Sequence, residues 1–183
     1  MNLVLEEDTF IARLKNKQTH EAAFRELITE YKERLYWHIR KIVIRHEDAD
    51  DVLQNTFIKV FKNIDKFKGE SKLFSWMYRI ATNESISHLN KMANSKNIDC
   101  ETLQNKLVEN LQADIYFDGD EIQLKLQMAV ATLPQKQQLV FNMKYFDNLK
   151  YNDMSEILDT SVGSLKASYH HARKKIESFL MKE

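Results

Sequence analysis

Tyr151 to Lys175, YNDMSEILDTSVGSLKASYHHARKK, holds two short amphipathic periods separated by a break. Met154, Ile157 and Leu158 fall at i, i+3 and i+4, one face of a short helix. Asp159, Thr160 and Ser161 then supply residue types that cap helices and favour turns. Ser161 is the expected N-cap of a second helix, whose apolar residues Leu165, Tyr169, Ala172 and Ile176 keep three- and four-residue spacing. Lys166, His170, Arg173 and Lys174 occupy its other face. This is the pattern of a helix-turn-helix. The second helix of such a pair can lie in the DNA major groove, its N-terminal half toward base edges and its cations near phosphates. A helical hairpin with a solvated basic face satisfies the same pattern, so the rest of the chain has to decide.

Three glycines and one proline in 183 residues are too few for the many tight turns of an all-β fold. The chain is therefore predicted to be all-α, long enough for one mid-sized domain or two small ones. Its breakers fall at informative places. Gly69 lies between two helical patterns, Gly119 in an acidic stretch, and Gly163 at the start of the second helix of the pair. Pro134 stands near the N1 position of a new helical run. No window reaches the roughly 18 consecutive apolar residues of a membrane span. The first ten residues, MNLVLEEDTF, lack the basic and long apolar segments of a signal peptide. Cys100 has no second cysteine to pair with, which fits a reducing, cytoplasmic setting.

The 27 basic and 27 acidic residues cancel overall but not locally. Residues 1–91 carry +2, residues 92–124 carry −5 and residues 125–183 carry +3. Two weakly basic ends thus flank an acidic connector. Phosphate neutralisation supplies most non-specific DNA affinity, so a chain this balanced would bind DNA weakly alone and needs a partner.

Upstream of the paired helices, apolar periodicity predicts an N-terminal bundle. Phe24, Leu27, Ile28, Tyr31, Leu35, Ile39, Ile42 and Val43 form one stripe over about Thr19–Arg45, with Thr19 as cap. Val52, Leu53, Thr56, Phe57, Val60, Phe61 and Ile64 supply the buried face of a helix over about Asp48–Ile64. The other face of that helix shows Asp50, Asp51, Gln54, Asn55 and Ile58. Ser71 is the expected cap of a third helix reaching about Lys91, with Leu73, Met77, Ile80, Ala81 and Leu89 inward. Arg79, Asn83, Ser87 and Lys91 recur every four residues as its polar stripe. Residues 92–120 lose this regularity and read as a flexible acidic linker, with one short helix near Glu101–Leu111. Helices near Glu121–Ala131, Gln135–Phe146, Tyr151–Leu158 and Val162–Met181 then make a four-helix C-terminal domain. The predicted architecture is all-α: two small helical domains, 1–91 and 121–183, joined by the linker 92–120.

Asp48-Ala49-Asp50-Asp51-Val52-Leu53-Gln54-Asn55-Thr56-Phe57 resembles the core-polymerase-binding helix of bacterial sigma factors. The segment from Phe67-Lys68-Gly69-Glu70-Ser71-Lys72 through Trp76 and Arg79 to Asn83 resembles the promoter-opening part of the same family. Leu133-Pro134 and the helix-turn-helix complete the likeness. Their order and separation over about residues 20–180 resemble the extracytoplasmic-function (ECF) subfamily, which lacks the extra domains of housekeeping sigma factors. The resemblance implies that residues 1–91 dock on bacterial core RNA polymerase and open the minus-ten element. Residues 121–183 would read the minus-thirty-five element of promoter DNA.

The resemblance also distributes roles. Core-polymerase contacts fall on Asp48, Asp50, Asp51, Gln54 and Asn55, the last standing where the family commonly has an acid. Minus-ten contacts fall on Phe67, Lys68, Gly69, Lys72, Trp76, Arg79, Asn83 and Ser87. The loop would capture an unstacked base, whose extrusion costs on the order of a few kcal/mol that pocket hydrogen bonds and stacking offset. Phe67 and Gly69 would shape that pocket, and Lys68 and Lys72 would attract the backbone. Trp76 is expected to pack rather than stack. Minus-thirty-five contacts fall on Ser164, Lys166, Ala167, His170 and His171, with Arg173 and Lys174 toward the backbone. Lys166 would reach guanine acceptors, while Ala167 offers only a methyl. Asp159 takes the turn position where glycine is common. An anti-sigma factor is the remaining partner implied.

Catalysis finds no support in the residues. There is no G-x-S-x-G or phosphate-loop pattern. His170 and His171 project about 100 degrees apart on a helix and have no Glu-x-x-His neighbour. His38 and His46 lie too far apart along one helix to share a ligand face. Neither metal nor cofactor is expected. The alternative reading is a stand-alone helix-turn-helix regulator, which would bind palindromic half-sites tightly by itself. A purely protein-binding helical module is a third reading, and it would survive loss of the basic helix face.

Overall fold

Phe24, Leu27, Leu35, Ile39, Ile42 and Val43 recur at three- and four-residue steps, and the segment carrying them forms the helix α2 (His20–Val43). The computed structural model describes residues 3–109 and 121–181, with no strand among them. α2 packs against α3 (His46–Asn63) and α4 (Leu73–Ser95), with a 3-10 turn at Ile64–Lys66 leading out of α3. One helix was not foreseen: α1 (Leu3–Lys15) lies along α2 through Phe10, Ile11 and Leu14. The Arg13 guanidinium fastens it there, donating to both Glu26 carboxylate oxygens at 2.9 and 2.6 Å. Its apolar stripe spans little more than one turn, too short a pattern to stand out from sequence.

Helix starts follow the predicted caps only in part. Thr19 holds the N-cap position of α2, but its hydroxyl turns back to donate to the Arg13 carbonyl. Ser71 does not cap α4; Lys72 stands at the cap without a side-chain capping bond, and the Leu73 N–H is taken by Glu7 of α1 at 2.6 Å. Pro134 stands at the N-cap of α7 (Gln135–Tyr145), one residue ahead of N1. Ser161 does cap α9 (Val162–Leu180), its Oγ accepting from the Ser164 N–H at 3.3 Å.

α4 continues to Ser95, so the boundary drawn at residue 91 falls inside a helix. Beyond it, α5 (Cys100–Glu109) buries Leu103, Gln104 and Val108. Gln138 donates its amide to Gln104 at 3.0 Å, and Val108 meets Ile44 and Ala131. The remainder of the acidic connector, 110–120, lies outside the described residues. α6 (Glu121–Ala131), α7 and α9 enclose a satellite core of Ala129, Val130, Leu133, Phe141, Ala172 and Ile176, while α8 (Tyr151–Leu158) lies outside it. The principal core does not stop at the connector. Leu139, Met143, Met154, Ile157 and Leu165 join the cluster built by α2, α3 and α4. Among the described residues, one apolar cluster therefore takes in side chains from α1 through to α9.

Candidate nucleic-acid interface

α3 buries Val52, Leu53, Thr56, Phe57 and Val60 and turns Asp50, Asp51, Gln54, Asn55 and Ile58 to solvent. Asp50 pairs with His46 at 3.3 Å, an i,i+4 contact. Asp48 does not belong to this exposed set. It is 8% exposed and faces inward, one carboxylate oxygen 3.1 Å from His88 Nε2 of α4 and the other 3.8 Å from Arg45. It sits one turn before Val52, on the buried side, so it lies against α4 and apart from the exposed acids. Phe61, expected inside, is 45% exposed. With Ile58 and Gln54 it lines a shallow apolar hollow of about 340 Å³ between α2 and α3.

The loop from Phe67 to Lys72 joins the 3-10 turn to α4. Phe67 is 4% exposed and its ring lies 5.1 Å from that of half-buried Trp76, so this aromatic pair floors the loop instead of projecting from it. Trp76 packs against Phe67 with part of its ring left open to solvent. Gly69 has φ +75, the left-handed region that glycine enters at least cost. Lys68, Gly69 and Lys72 are exposed, as are Arg79, Asn83, Ser87 and Lys91 along one side of α4.

In the C-terminal half, α8 and α9 form the helix-turn-helix. Asp159 makes the turn at φ 48 and ψ 51, where an aspartate is tolerated better than most residues. Ser164, Lys166, Ala167, His170, His171, Arg173 and Lys174 lie on α9 away from buried Leu165, Ala172 and Ile176, all of them exposed. His170 and His171 lie with ring centroids 5.9 Å apart, and Arg173 pairs with Glu177 at 3.0 Å. Among the described residues, no His, Cys, Asp and Glu gather in a metal-binding group.

The two faces are not independent. Met154 and Ile157 turn α8 onto α4, and polar contacts follow. Lys72 reaches Asp153 at 2.7 Å, a hydrogen bond that raises the lysine above its ordinary range. The Arg79 Nε donates to the Glu156 carbonyl at 3.0 Å. Nearby, Asp147 from the α7–α8 loop is engaged by two groups of α2. His38 Nδ1 lies 2.9 Å from one carboxylate oxygen, and the Lys41 ammonium meets the other. His38 is buried, and the Thr82 hydroxyl on its far side directs its own proton to the Tyr78 carbonyl, so it accepts from the ring at 2.9 Å. Burial pushes the Asp147 carboxyl up, but His38 and Lys41 outweigh it and hold the group below the usual carboxylate range. None of these partners was foreseen. His38 and Asp147 stand 109 residues apart, and no local pattern marks such a pair.

Two family models match the chain: sigma-70 region 2 over residues 27–94 and sigma-70 region 4 over residues 123–176. The ECF RNA polymerase sigma factor SigW of Bacillus subtilis is 28% identical over 172 residues, covering 90% of this chain and 92% of its own. The ECF RNA polymerase sigma-E factor of Haemophilus influenzae is 28% identical over 170 residues, covering 88% and 89%. In fold, the chain resembles CnrH solved with the cytosolic domain of CnrY, with TM-score 0.70, 17% identity, and 97% and 98% of the two chains covered. It also resembles RpoE of Bartonella quintana solved with the anti-sigma factor NepR, with TM-score 0.65, 19% identity, and 87% and 98% covered. The fold and its two exposed faces define a helical transcription initiation factor. The chain belongs to the ECF subfamily of sigma-70 factors.

Proposed function

We propose that this sigma factor binds core RNA polymerase through Asp50, Asp51, Gln54 and Asn55 of α3, without Asp48. It then directs the enzyme to chosen promoters. The loop 67–72 captures a minus-ten base over the Phe67–Trp76 floor, and Arg79, Asn83 and Ser87 follow the adjoining strand. α9 reads the minus-thirty-five element, with Ser164, Lys166, Ala167, His170 and His171 toward base edges and Arg173 and Lys174 toward phosphates. The supporting observation is that the regions matched to sigma-70 regions 2 and 4 each turn such a polar face to solvent on its own helix. A stand-alone regulator would have no use for the region 2 half. No step of this role asks for a catalytic group, and it is carried out where the polymerase is, in the cytoplasm.

The described arrangement has to open for this work. Elements centred near positions ten and thirty-five lie about 25 base pairs, or ~85 Å, apart at 3.4 Å per base pair. A compact 183-residue chain has a radius of gyration of about 16 Å and a span of roughly 40 Å. Lys72 and Arg79 are also engaged by α8. CnrH and RpoE were each solved with a protein partner, the latter an anti-sigma factor. A partner of that kind is proposed here too, holding the factor away from polymerase. The test is co-elution with bacterial core RNA polymerase beside an Asp51→Arg, Gln54→Ala variant, then run-off transcription from genomic fragments. Loss of co-elution in the variant supports the reading; a folded wild-type protein that never co-elutes overturns it.

A further inference from the structure

α1 contributes two charged side chains to one short loop. Lys15 donates from Nζ to the Phe67 carbonyl at 2.5 Å, at the loop's entry. Glu7 accepts from the Leu73 N–H at 2.6 Å, at its exit, where α4 begins. The two residues stand eight apart, about 80 degrees around the helix, so with Ile11 and Leu14 between them they share one side of α1. Leu14 is fully buried, and Arg13 pins the same helix to Glu26 of α2. A rigid element thus grips the backbone at both ends of the segment 67–73. Within that segment the chain turns through Gly69 in the left-handed region.

The other polar tie on the loop is of a different kind. Lys72 is held by Asp153 of α8, and separation of the two halves breaks that pair. The bonds from α1 stay within the N-terminal half and persist on opening. Ordering a loop at the moment of binding subtracts from affinity, whereas a loop already ordered does not incur that cost. Resting on the sigma reading above, we propose that Glu7 and Lys15 are positioning residues for promoter opening. They fix both ends of the 67–73 loop, so that the base pocket stands formed before single-stranded DNA arrives. Neither side chain has to touch DNA. Behind the Asp153 hydrogen bond, the Glu7 carboxylate adds a smaller upward push to Lys72.

Four full-length variants test this, Glu7→Ala, Lys15→Ala, Glu7→Gln and Lys15→Arg, each with core polymerase. The first readout is amide hydrogen exchange. Leu73 and the loop amides should exchange roughly tenfold faster in Glu7→Ala, a change of about 1.4 kcal/mol, and stay near wild type in Glu7→Gln, whose carbonyl still accepts. The second is capture of a single-stranded non-template oligonucleotide from a promoter identified by run-off transcription. It should fall about tenfold in both alanine variants and recover in Glu7→Gln and Lys15→Arg, while co-elution with core polymerase is unchanged. Unchanged exchange at Leu73, or faster exchange with normal capture, overturns the proposal. Tighter capture in Glu7→Ala also overturns it, since the carboxylate would then be repelling the DNA backbone. Should the alanine variants lose their fold, the conservative pair decides: a capture defect in Glu7→Gln with normal Leu73 exchange counts against positioning. Failure of wild-type protein to bind core polymerase would strike the sigma reading and leave the exchange result standing.

Discussion

Replacing Asp147 by alanine should loosen the closed arrangement while leaving each half folded. The carboxylate is 7% exposed and accepts from two groups of α2 across the junction. Breaking a buried ion pair costs about 3–5 kcal/mol when the surviving partner is stranded. Here the loss is smaller, because Lys41 keeps 16% of its side chain exposed and can turn to water. His38 cannot, being 1% exposed between Tyr78, Thr82 and the α7–α8 loop. One charge-assisted hydrogen bond at a buried donor is worth about 1.5–3 kcal/mol. Taking about 2 kcal/mol, the ratio of open to closed molecules should rise roughly 30-fold. The assay is energy transfer between dyes on α2 and α9, introduced as Lys32→Cys and Lys175→Cys in a Cys100→Ser background, with the scattering radius as a check. A closed molecule should scatter with a radius near about 16 Å, and the alanine variant with a larger one. Asp147→Ala with unchanged energy transfer, unchanged radius and native helicity would refute the reasoning, because the apolar contacts of Met154 and Ile157 would then suffice alone.

The same pair sets a pH dependence. Asp147 is held below its ordinary value in the closed form, so its contribution is present above the open-state value of about 3.9 and lost as pH falls through the lower closed-state one. Energy transfer should fall as pH drops below about 4; an Asp147→Asn variant, with Glu33, Arg34, Lys41 and Tyr78 around the site and His38 beside it left in place, should lack that acid limb. Gly69→Ala should destabilise by about 1 kcal/mol, lowering Tm by ~2–4 °C for a chain of this size. No heavy atom lies within 4 Å of the added methyl, so the cost is all backbone strain at φ +75. Ser161→Ala removes the cap of α9 and should cost about 1 kcal/mol, checked by thermal unfolding, whereas Ser161→Asp should retain most of it.

The helix-turn-helix could be read directly because its signals are local. Met154, Ile157 and Leu165 lie within a few turns of one another, and the turn chemistry of Asp159 to Ser161 sits between them. The exposed faces of α4 and α9 were legible for the same reason, since a four-residue repeat fixes which side of a helix shares a surface. Two residues misled. Asp48 shares its helix with the exposed acids, but its position on the turn places it inward against His88. Phe61 reads as core from its period, yet α2 leaves it on the rim of an open hollow. Asp48 stands four residues before buried Val52, so its period already pointed inward; Phe61 depends on where α2 begins, which periodicity does not encode.

By itself the sequence determined the all-α class, most helices, their polar faces and the family. Hydrophobic period and cap chemistry act over three to seven residues, and the chain writes them in order. Tertiary structure alone decided what covers those faces. Glu7 meets Leu73 across 66 residues, Lys72 meets Asp153 across 81, and His38 meets Asp147 across 109. Each such pair joins a common residue type to another, and nothing nearby in the chain distinguishes it from dozens of equivalents. Only the packing of α1 on the 67–73 loop and of α8 on α4 selects among them, because a charge finds its partner by distance in space and the helices set that distance.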